Sequence, residues 1–196
     1  MSRFESLDIE PGLVGAFKRG DRGAAEQVYR ILSQSVYGLT LRLLGDADAA
    51  ADITQDTFVD AIEKASTLRD DAAIGGWVRS IAVNHCLMRM RSPWSRRRAV
   101  ESGTETLDGS LDSTRMNGWY DLSHALATLS NETRFVVWMH HVEGYTHAEL
   151  GELLGRSASY SKSQLARGLK RLQRQTLAPG ESKVRSECRA KGEGHD

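Results

Sequence analysis

The sequence predicts an all-α protein made of two small helical domains joined by a flexible linker. Apolar residues recur every three or four positions over most of residues 10–91 and again over 119–176, the period of helices with one buried face. β-branched residues alternate over no long stretch, so strands are not expected. Between the two blocks, residues 92–118 are rich in Gly, Ser, Thr and Asp and lose the period. That is the composition of a linker.

In chain order, residues 1–12 read as a loose arm. Leu13–Arg19 and Ala24–Leu44 read as helices separated by Gly20-Asp21-Arg22-Gly23, with Asp21 placed to cap the second. That second helix presents Val28, Ile31, Leu32, Val36, Leu39 and Leu43 at helical spacing, and Gly45-Asp46 stops it. Ala47–Ala65 reads as one helix with Ile53, Phe58, Val59 and Ile62 inward. Its opposite face carries Asp48, Asp52, Gln55, Asp56, Asp60 and Glu63. Ser66–Gly76 is expected to be a polar loop, and Trp77–Arg91 a helix with Trp77, Val78, Ile81 and Ala82 inward. In the linker, Arg96, Arg97 and Arg98 suit either phosphate contact or plain solvation. Tyr120–Thr128 and Asn131–Val142 open the second domain, with Phe135–Met139 as core candidates. The tail, 177–196, is polar and expected to be disordered.

The richest stretch is Thr146–Gln173, THAELGELLGRSASYSKSQLARGLKRLQ. It reads as a helix-turn-helix. Leu150, Leu153 and Leu154 give the first helix an apolar face, and Gly155 permits the left-handed residue that ends it. Ser157 to Ser159 offer hydroxyls to cap the second helix. Leu165, Leu169 and Leu172 are expected to form its buried stripe. The other faces bear Ser159, Lys162, Ser163, Gln164, Arg167, Lys170 and Arg171, and no acid lies between Arg156 and Gln175. A helix entering the major groove needs this pattern: cations for phosphates, and Gln or Arg for base edges. A helical hairpin with a solvated basic face is the competing reading.

Composition narrows the function classes. The formal charge of the 196-residue chain is +0, yet acids dominate Asp46–Glu63 and bases dominate Lys162–Arg174. Separated charge predicts two surfaces with two partners. No apolar run is long enough to span a membrane, and MSRFESLDIEPG lacks the core of a signal peptide, so a cytoplasmic protein is expected. Cys86 and Cys188 form neither a disulfide framework nor a CxxC pair. His140, His141 and His147 lack companion ligands at metal spacing. No phosphate loop, nucleophile elbow or catalytic constellation is present, so neither an enzyme nor a cofactor or small-molecule substrate is expected.

Three stretches in order carry a resemblance: DITQDTFVDAIEKA (Asp52–Ala65), GGWVRSIAVNHCLMRMR (Gly75–Arg91), and the segment from Ala127 to Leu172 that includes Glu143-Gly144-Tyr145-Thr146. Together they resemble an extracytoplasmic-function (ECF) sigma factor of bacterial RNA polymerase. The resemblance covers nearly all of residues 10–175. It implies region 2 over 10–91, a linker over 92–118 and region 4 over 119–176. It further implies a core-polymerase contact through Asp52, Gln55, Asp56 and Asp60 toward the β′ coiled coil, with the β flap as a second contact. Arg69, Trp77, Arg79, Asn84 and Arg89 would serve the minus-ten element of promoter DNA, although Trp77 also reads as a core residue. Ser159, Lys162, Ser163, Gln164, Arg167, Lys170 and Arg171 would serve the minus-thirty-five element. The polymerase, not this chain, would do the chemistry.

The sequence departs from the family pattern in places. Ser130 stands where a proline is usual, and Met88 where an acid often follows the helix asparagine. Ala49-Ala50-Ala51 precede Asp52 where relatives typically carry acids. The thin charge motivates the expectation that a Ser/Thr kinase modifies Thr54 or Thr57, since a phosphate adds about −1.5 to −2 charges. Control by an anti-sigma factor is the alternative, and the sequence does not choose. From another class, a dimeric repressor or activator would use the helix-turn-helix on operator half-sites about 34–36 Å apart.

Overall fold

Short capping signals divide the chain into its helices. The computed structural model describes residues 9–92, 122 and 125–176. α1 spans Pro11–Lys18, α2 Arg22–Leu44, α3 Ala47–Glu63 and α4 Ile74–Arg91. Two 3-10 turns, Ala65–Thr67 and Asp71–Ala73, link α3 to α4. After a helical turn at 125–127, α5 spans Asn131–His141, α6 His147–Leu154 and α7 Ala158–Thr176. Among the described residues there is no strand. Of the arm expected over residues 1–12, residues 1–8 lie outside the described residues and Pro11 already opens α1; the linker from 93 and the tail from 177 also lie outside them.

Asp21 caps α2 by accepting from the Ala24 amide at 2.7 Å, and Asp46 caps α3 from Ala49 at 3.0 Å. Between them Gly45, at φ 67°, ends α2 in the left-handed conformation. α4 begins three residues earlier than the sequence suggests: Gly75 and Gly76 lie in its first turn, and Gly75 is buried.

α2 is the central element. Val28, Leu32, Val36, Leu39 and Leu43 are buried against α3 and α4. Each such side chain contributes about 1.5–3 kcal/mol when fully buried. Two inward assignments fail, Val59 and Ile62 being 54% and 51% exposed, and Ile31, on the apolar period of α2, is 38% exposed. α3 packs instead through Ala49, Ala50, Ile53, Thr54, Thr57, Phe58 and Ala61. The threonines behave as apolar residues because their hydroxyls donate to carbonyls of their own helix. Thr54 reaches Ala50 at 2.7 Å and Thr57 reaches Ile53 at 2.6 Å. This turns α3 and leaves Val59 and Ile62 on the outside.

α7 is also rotated from its expected setting. Leu169 is 38% exposed, while Ser161, Gln164 and Gly168 face inward and Leu165 and Leu172 are half-buried. Gly168 explains the change. A Cβ there would lie 2.6 Å from Val137 Cγ2 and 2.9 Å from Thr133 Cγ2, so α7 crosses α5 at backbone distance. A single hydrophobic core runs from α1 through α2 to α5 and α6.

Candidate nucleic-acid interface

Asp52, Gln55, Asp56 and Glu63 are exposed on α3, and Val59 and Ile62 continue the same stripe at helical spacing. Ile62 also borders a groove of about 430 Å³ lined by Phe17, Arg22, Ala25, Glu26 and Tyr29. Tyr29 packs edge-on against Phe58, with ring centroids 4.8 Å apart. The acidic face therefore carries an apolar strip, as a protein-binding surface does. Asp60 is set apart from it. Its carboxylate is half-buried and pairs with Lys64 at 2.6 Å and His85 at 3.1 Å. The hydrogen bond from Lys64 holds its pKa below the ordinary carboxylate value. Asp60 thus ties α3 to α4.

The expected phosphorylation sites require a correction. Thr57 is fully buried and Thr54 is 6% exposed. Beyond its bond to Ala50, the Thr54 hydroxyl lies 3.3 Å from that of Thr40 on α2. Thr54 therefore points into the α2–α3 contact, and in this fold both hydroxyls are bonded to their own helix and shielded from solvent.

On α4, Asn84 is exposed and Arg89 half-exposed, and Arg69 is exposed in the turn ahead of the helix. Met88, 68% exposed, sits one turn beyond Asn84 on the same face. Trp77 is half-buried against the core. Arg79 turns away from this face: it pairs with Glu143, whose side chain is 6% exposed, and its guanidinium lies over the Tyr145 ring at 5.6 Å.

The helix-turn-helix is locally well determined. Thr146 and Glu149 form a reciprocal capping box, Gly155 at φ 63° ends α6, and Ser157 accepts from the Tyr160 amide at 3.2 Å to start α7. Gly151 lets the turn close, since a Cβ there would lie 2.9 Å from the Ala158 nitrogen. Ser159, Lys162, Ser163, Arg167, Lys170 and Arg171 are exposed on α7, a cationic face ready for a phosphate backbone. Gln164 is not part of it, contrary to the sequence reading. It is 7% exposed and accepts from the Thr133 hydroxyl at 2.7 Å. His140 and His147 stack with centroids 4.3 Å apart, and His147 Nδ1 lies 3.0 Å from the Ser161 hydroxyl. Desolvation, then the neighbouring His140, Lys162 and His141, hold the His147 pKa below its ordinary value.

The two helical blocks also bind each other. Arg134 of α5 is 4% exposed and reaches the end of α2. Its Nε donates to the Leu43 carbonyl at 3.1 Å, and its terminal nitrogen donates to the Leu44 carbonyl and to Asn131 Oδ1. Burial lowers its pKa to about 10. Trp138 Nε1 donates to Glu143 at 3.3 Å, Arg42 lies 5.0 Å over the Trp138 ring, and Arg91 donates to the Leu153 carbonyl. Both Arg134 and Glu143 lie in the Ala127–Leu172 stretch that carries the family resemblance, and neither acquires a role from the sequence alone. Nothing local announces a contact made across the chain.

Residues 28–96 match Sigma-70 region 2, and residues 120–172 match Sigma-70, region 4. The chain is 30% identical over 176 residues to the ECF RNA polymerase sigma factor SigM of Mycobacterium tuberculosis, covering 88% of this chain and 86% of that relative. The chain belongs to the ECF sigma factor family. It is also 26% identical over 172 residues to the ECF sigma factor SigW of Bacillus subtilis, covering 81% of this chain and 91% of that one. The fold resembles that of the sigma factor RpoE in complex with the anti-sigma factor NepR from Bartonella quintana. There the TM-score is 0.51 at 21% identity, covering 79% of this chain and 97% of that one. It resembles CnrH in complex with the cytosolic domain of CnrY at TM-score 0.50 and 18% identity, covering 88% and 99%. ECF sigma factors are non-enzymatic regulators that direct promoter-specific transcription initiation by RNA polymerase. No helix among the described residues is long and apolar enough to cross a membrane.

Proposed function

We propose that this ECF sigma factor binds core RNA polymerase through the outer face of α3 and reads promoter DNA through α4 and α7. The observation that carries the proposal is the segregation of charge: exposed acids on α3, exposed bases on α7. In this reading Asp52, Gln55 and Asp56 meet a basic surface of the β′ coiled coil, and Val59 and Ile62 supply apolar contact beside them. Complementary charge chiefly gives specificity and association rate. Asp60 serves as a strut between α3 and α4. Asn84, Arg69 and Arg89 contact the minus-ten element, and the exposed α7 residues contact the minus-thirty-five element. Region 2 is assigned to 10–91, the linker to 92–118, region 4 to 119–176 and a polar tail to 177–196, with the β flap as the partner of region 4. The protein works where the polymerase works, in the cytoplasm.

Control by an anti-sigma factor is preferred over control by a kinase, because Thr54 and Thr57 are buried. The two structural relatives are in complex with an anti-sigma factor and with the cytosolic domain of CnrY. The test is direct binding of the full chain to bacterial core polymerase at several salt concentrations. Saturable binding that weakens on Asp56→Lys supports the reading. Absent binding, or binding indifferent to Asp52→Lys and Asp56→Lys, overturns it.

A further inference from the structure

We propose that Tyr160 is a further specificity residue for the minus-thirty-five element, meeting the C5 methyl of a thymine with the edge of its ring, and that Glu132 of α5 positions it. The inference rests on the sigma-factor reading above. The observation that carries it is a contact between two helices. The Tyr160 hydroxyl donates to Glu132 Oε2, and Arg156 Cζ lies over the Tyr160 ring, 5.7 Å from its centre.

Place gives the first argument. Tyr160 is the third residue of α7, and the opening residues of a helix in the major groove are those that reach base edges. Tyr160, Arg167 and Arg171 recur at i, i+7 and i+11, so they share one side of the helix. The close approach at Gly168 turns Ser161, Gln164 and Gly168 inward and leaves Tyr160 half-buried at the margin. An aromatic ring thus heads a row of cations.

Chemistry gives the second. No acid lies between Arg156 and Gln175, so the carboxylate beside Tyr160 has to come from α5. A phenol on a carboxylate makes a charge-assisted hydrogen bond. That bond, and then burial, hold the Tyr160 pKa above the ordinary phenol value. The hydroxyl is therefore committed to Glu132 as a donor and is not offered to a base or a phosphate. With Arg156 over the ring, what remains for DNA is the carbon edge. The apolar group that a base pair presents in the major groove is the thymine C5 methyl, so an aromatic edge without a free donor selects thymine.

The third argument concerns preorganisation. A ring held at its hydroxyl by Glu132 and on its face by Arg156 has little rotamer freedom left to lose, and a contact made by a group already fixed keeps more of its energy. The same carboxylate acts in a second way. Glu132 is exposed beside a cationic face and repels the phosphates of every sequence alike. Its two effects are separable: position changes the preference for the methyl, and charge changes affinity without preference.

The full chain with bacterial core polymerase first selects from a fully randomised duplex pool, and the upstream element of the selected sequences becomes the probe. Affinity is then measured for single-base variants that place thymine at each position of either strand. Each is paired with a duplex in which uracil replaces that thymine and so lacks only the methyl. At one position the wild type should bind the thymine duplex about fourfold more tightly than its uracil partner, the worth of one buried methyl. Tyr160→Ala should bring that ratio close to one. Tyr160→Phe, which keeps the ring without the donor, should lower it part-way, and decides the matter if Tyr160→Ala fails to fold. Glu132→Gln keeps an acceptor for the phenol; it should raise affinity for both duplexes and preserve the ratio. Glu132→Ala should raise affinity for both and lose the ratio. Arg171→Ala should weaken both and leave the ratio as in wild type. A ratio near one at every position in the wild type, or one unchanged in the Tyr160 variants, overturns the thymine contact. A ratio unchanged in Glu132→Ala overturns the positioning role. A pool from which the chain with polymerase enriches nothing beyond polymerase alone overturns the sigma-factor reading itself.

Discussion

Arg134 Nε lies 3.1 Å from the carbonyl of Leu43, ninety-one positions earlier in the chain. The bond places a cation on the carboxyl end of α2, where the last carbonyls lack helical partners and the helix dipole favours positive charge. It is one of several polar links between the two halves of the molecule, together with Arg79–Glu143 and Arg91 on the Leu153 carbonyl.

Gly45 should tolerate no side chain. Its φ is 67°, and a Cβ there would lie 2.4 Å from an Arg134 guanidinium nitrogen. Gly45→Ala is expected to lower unfolding stability by about 1–2 kcal/mol from the left-handed backbone alone, and further by displacing Arg134. Chemical denaturation of the full chain checks this. Unchanged stability would mean that Arg134 does not occupy the end of α2.

Thr54→Glu, the change that would imitate phosphorylation, is expected to damage the protein and not activate it. The carboxylate would enter the α2–α3 contact beside Thr40 without a cationic partner. Burial of an unpaired polar group costs more than about 2 kcal/mol. The variant should melt earlier and bind core polymerase no more tightly than wild type. Tighter binding with intact stability would restore the kinase hypothesis.

Gln164 and Arg171 should part company in DNA binding. Gln164→Ala removes the bond from Thr133, costs about 1 kcal/mol of stability, and leaves base preference unchanged. Arg171→Ala should leave stability unchanged and reduce either base discrimination, by about 1–3 kcal/mol, or the salt dependence of binding. Quantitative binding to a set of single-base variants separates the cases. A base-preference change in Gln164→Ala would place that side chain in the groove.

Acidification should loosen the helix-turn-helix. Desolvation holds the pKa of His147 in the folded protein below the ordinary imidazole value of about 6.5, so the unfolded chain binds the proton more readily. The stability this contributes is fully present above pH 6.5 and is lost as pH falls below it. His147→Gln removes the titrating ring and should flatten stability between pH 7 and 5. A wild-type curve that is already flat there would contradict the assignment.

What the sequence made legible was local. Asp21, Gly45-Asp46, Gly155 and Ser157 mark helix ends through bonds to residues three or four away, so composition announces them. Asp52 and Asp56 could be placed outside because charge resists burial. The inward face of α3 was misjudged because Thr54 and Thr57 hide their hydroxyls on their own helix and pack like valine. Val59 and Ile62 then had to be outside. On α7, the leucine period pointed to Leu169, but the closest approach falls at Gly168, whose value lies in lacking a side chain. The roles of Arg134 and Glu143 depend on partners more than sixty positions distant, and no sequence period encodes such a pair.

The central claim is that this chain directs promoter-specific initiation. The most direct measurement is transcription in vitro from the chain's own upstream DNA, using the purified full chain and bacterial core polymerase. The account predicts a transcript from one start site that requires the chain and disappears with Asp52→Lys and Asp56→Lys together. No transcript, combined with tight binding of the chain alone to duplex DNA as a dimer, would contradict it and identify a stand-alone operator-binding protein.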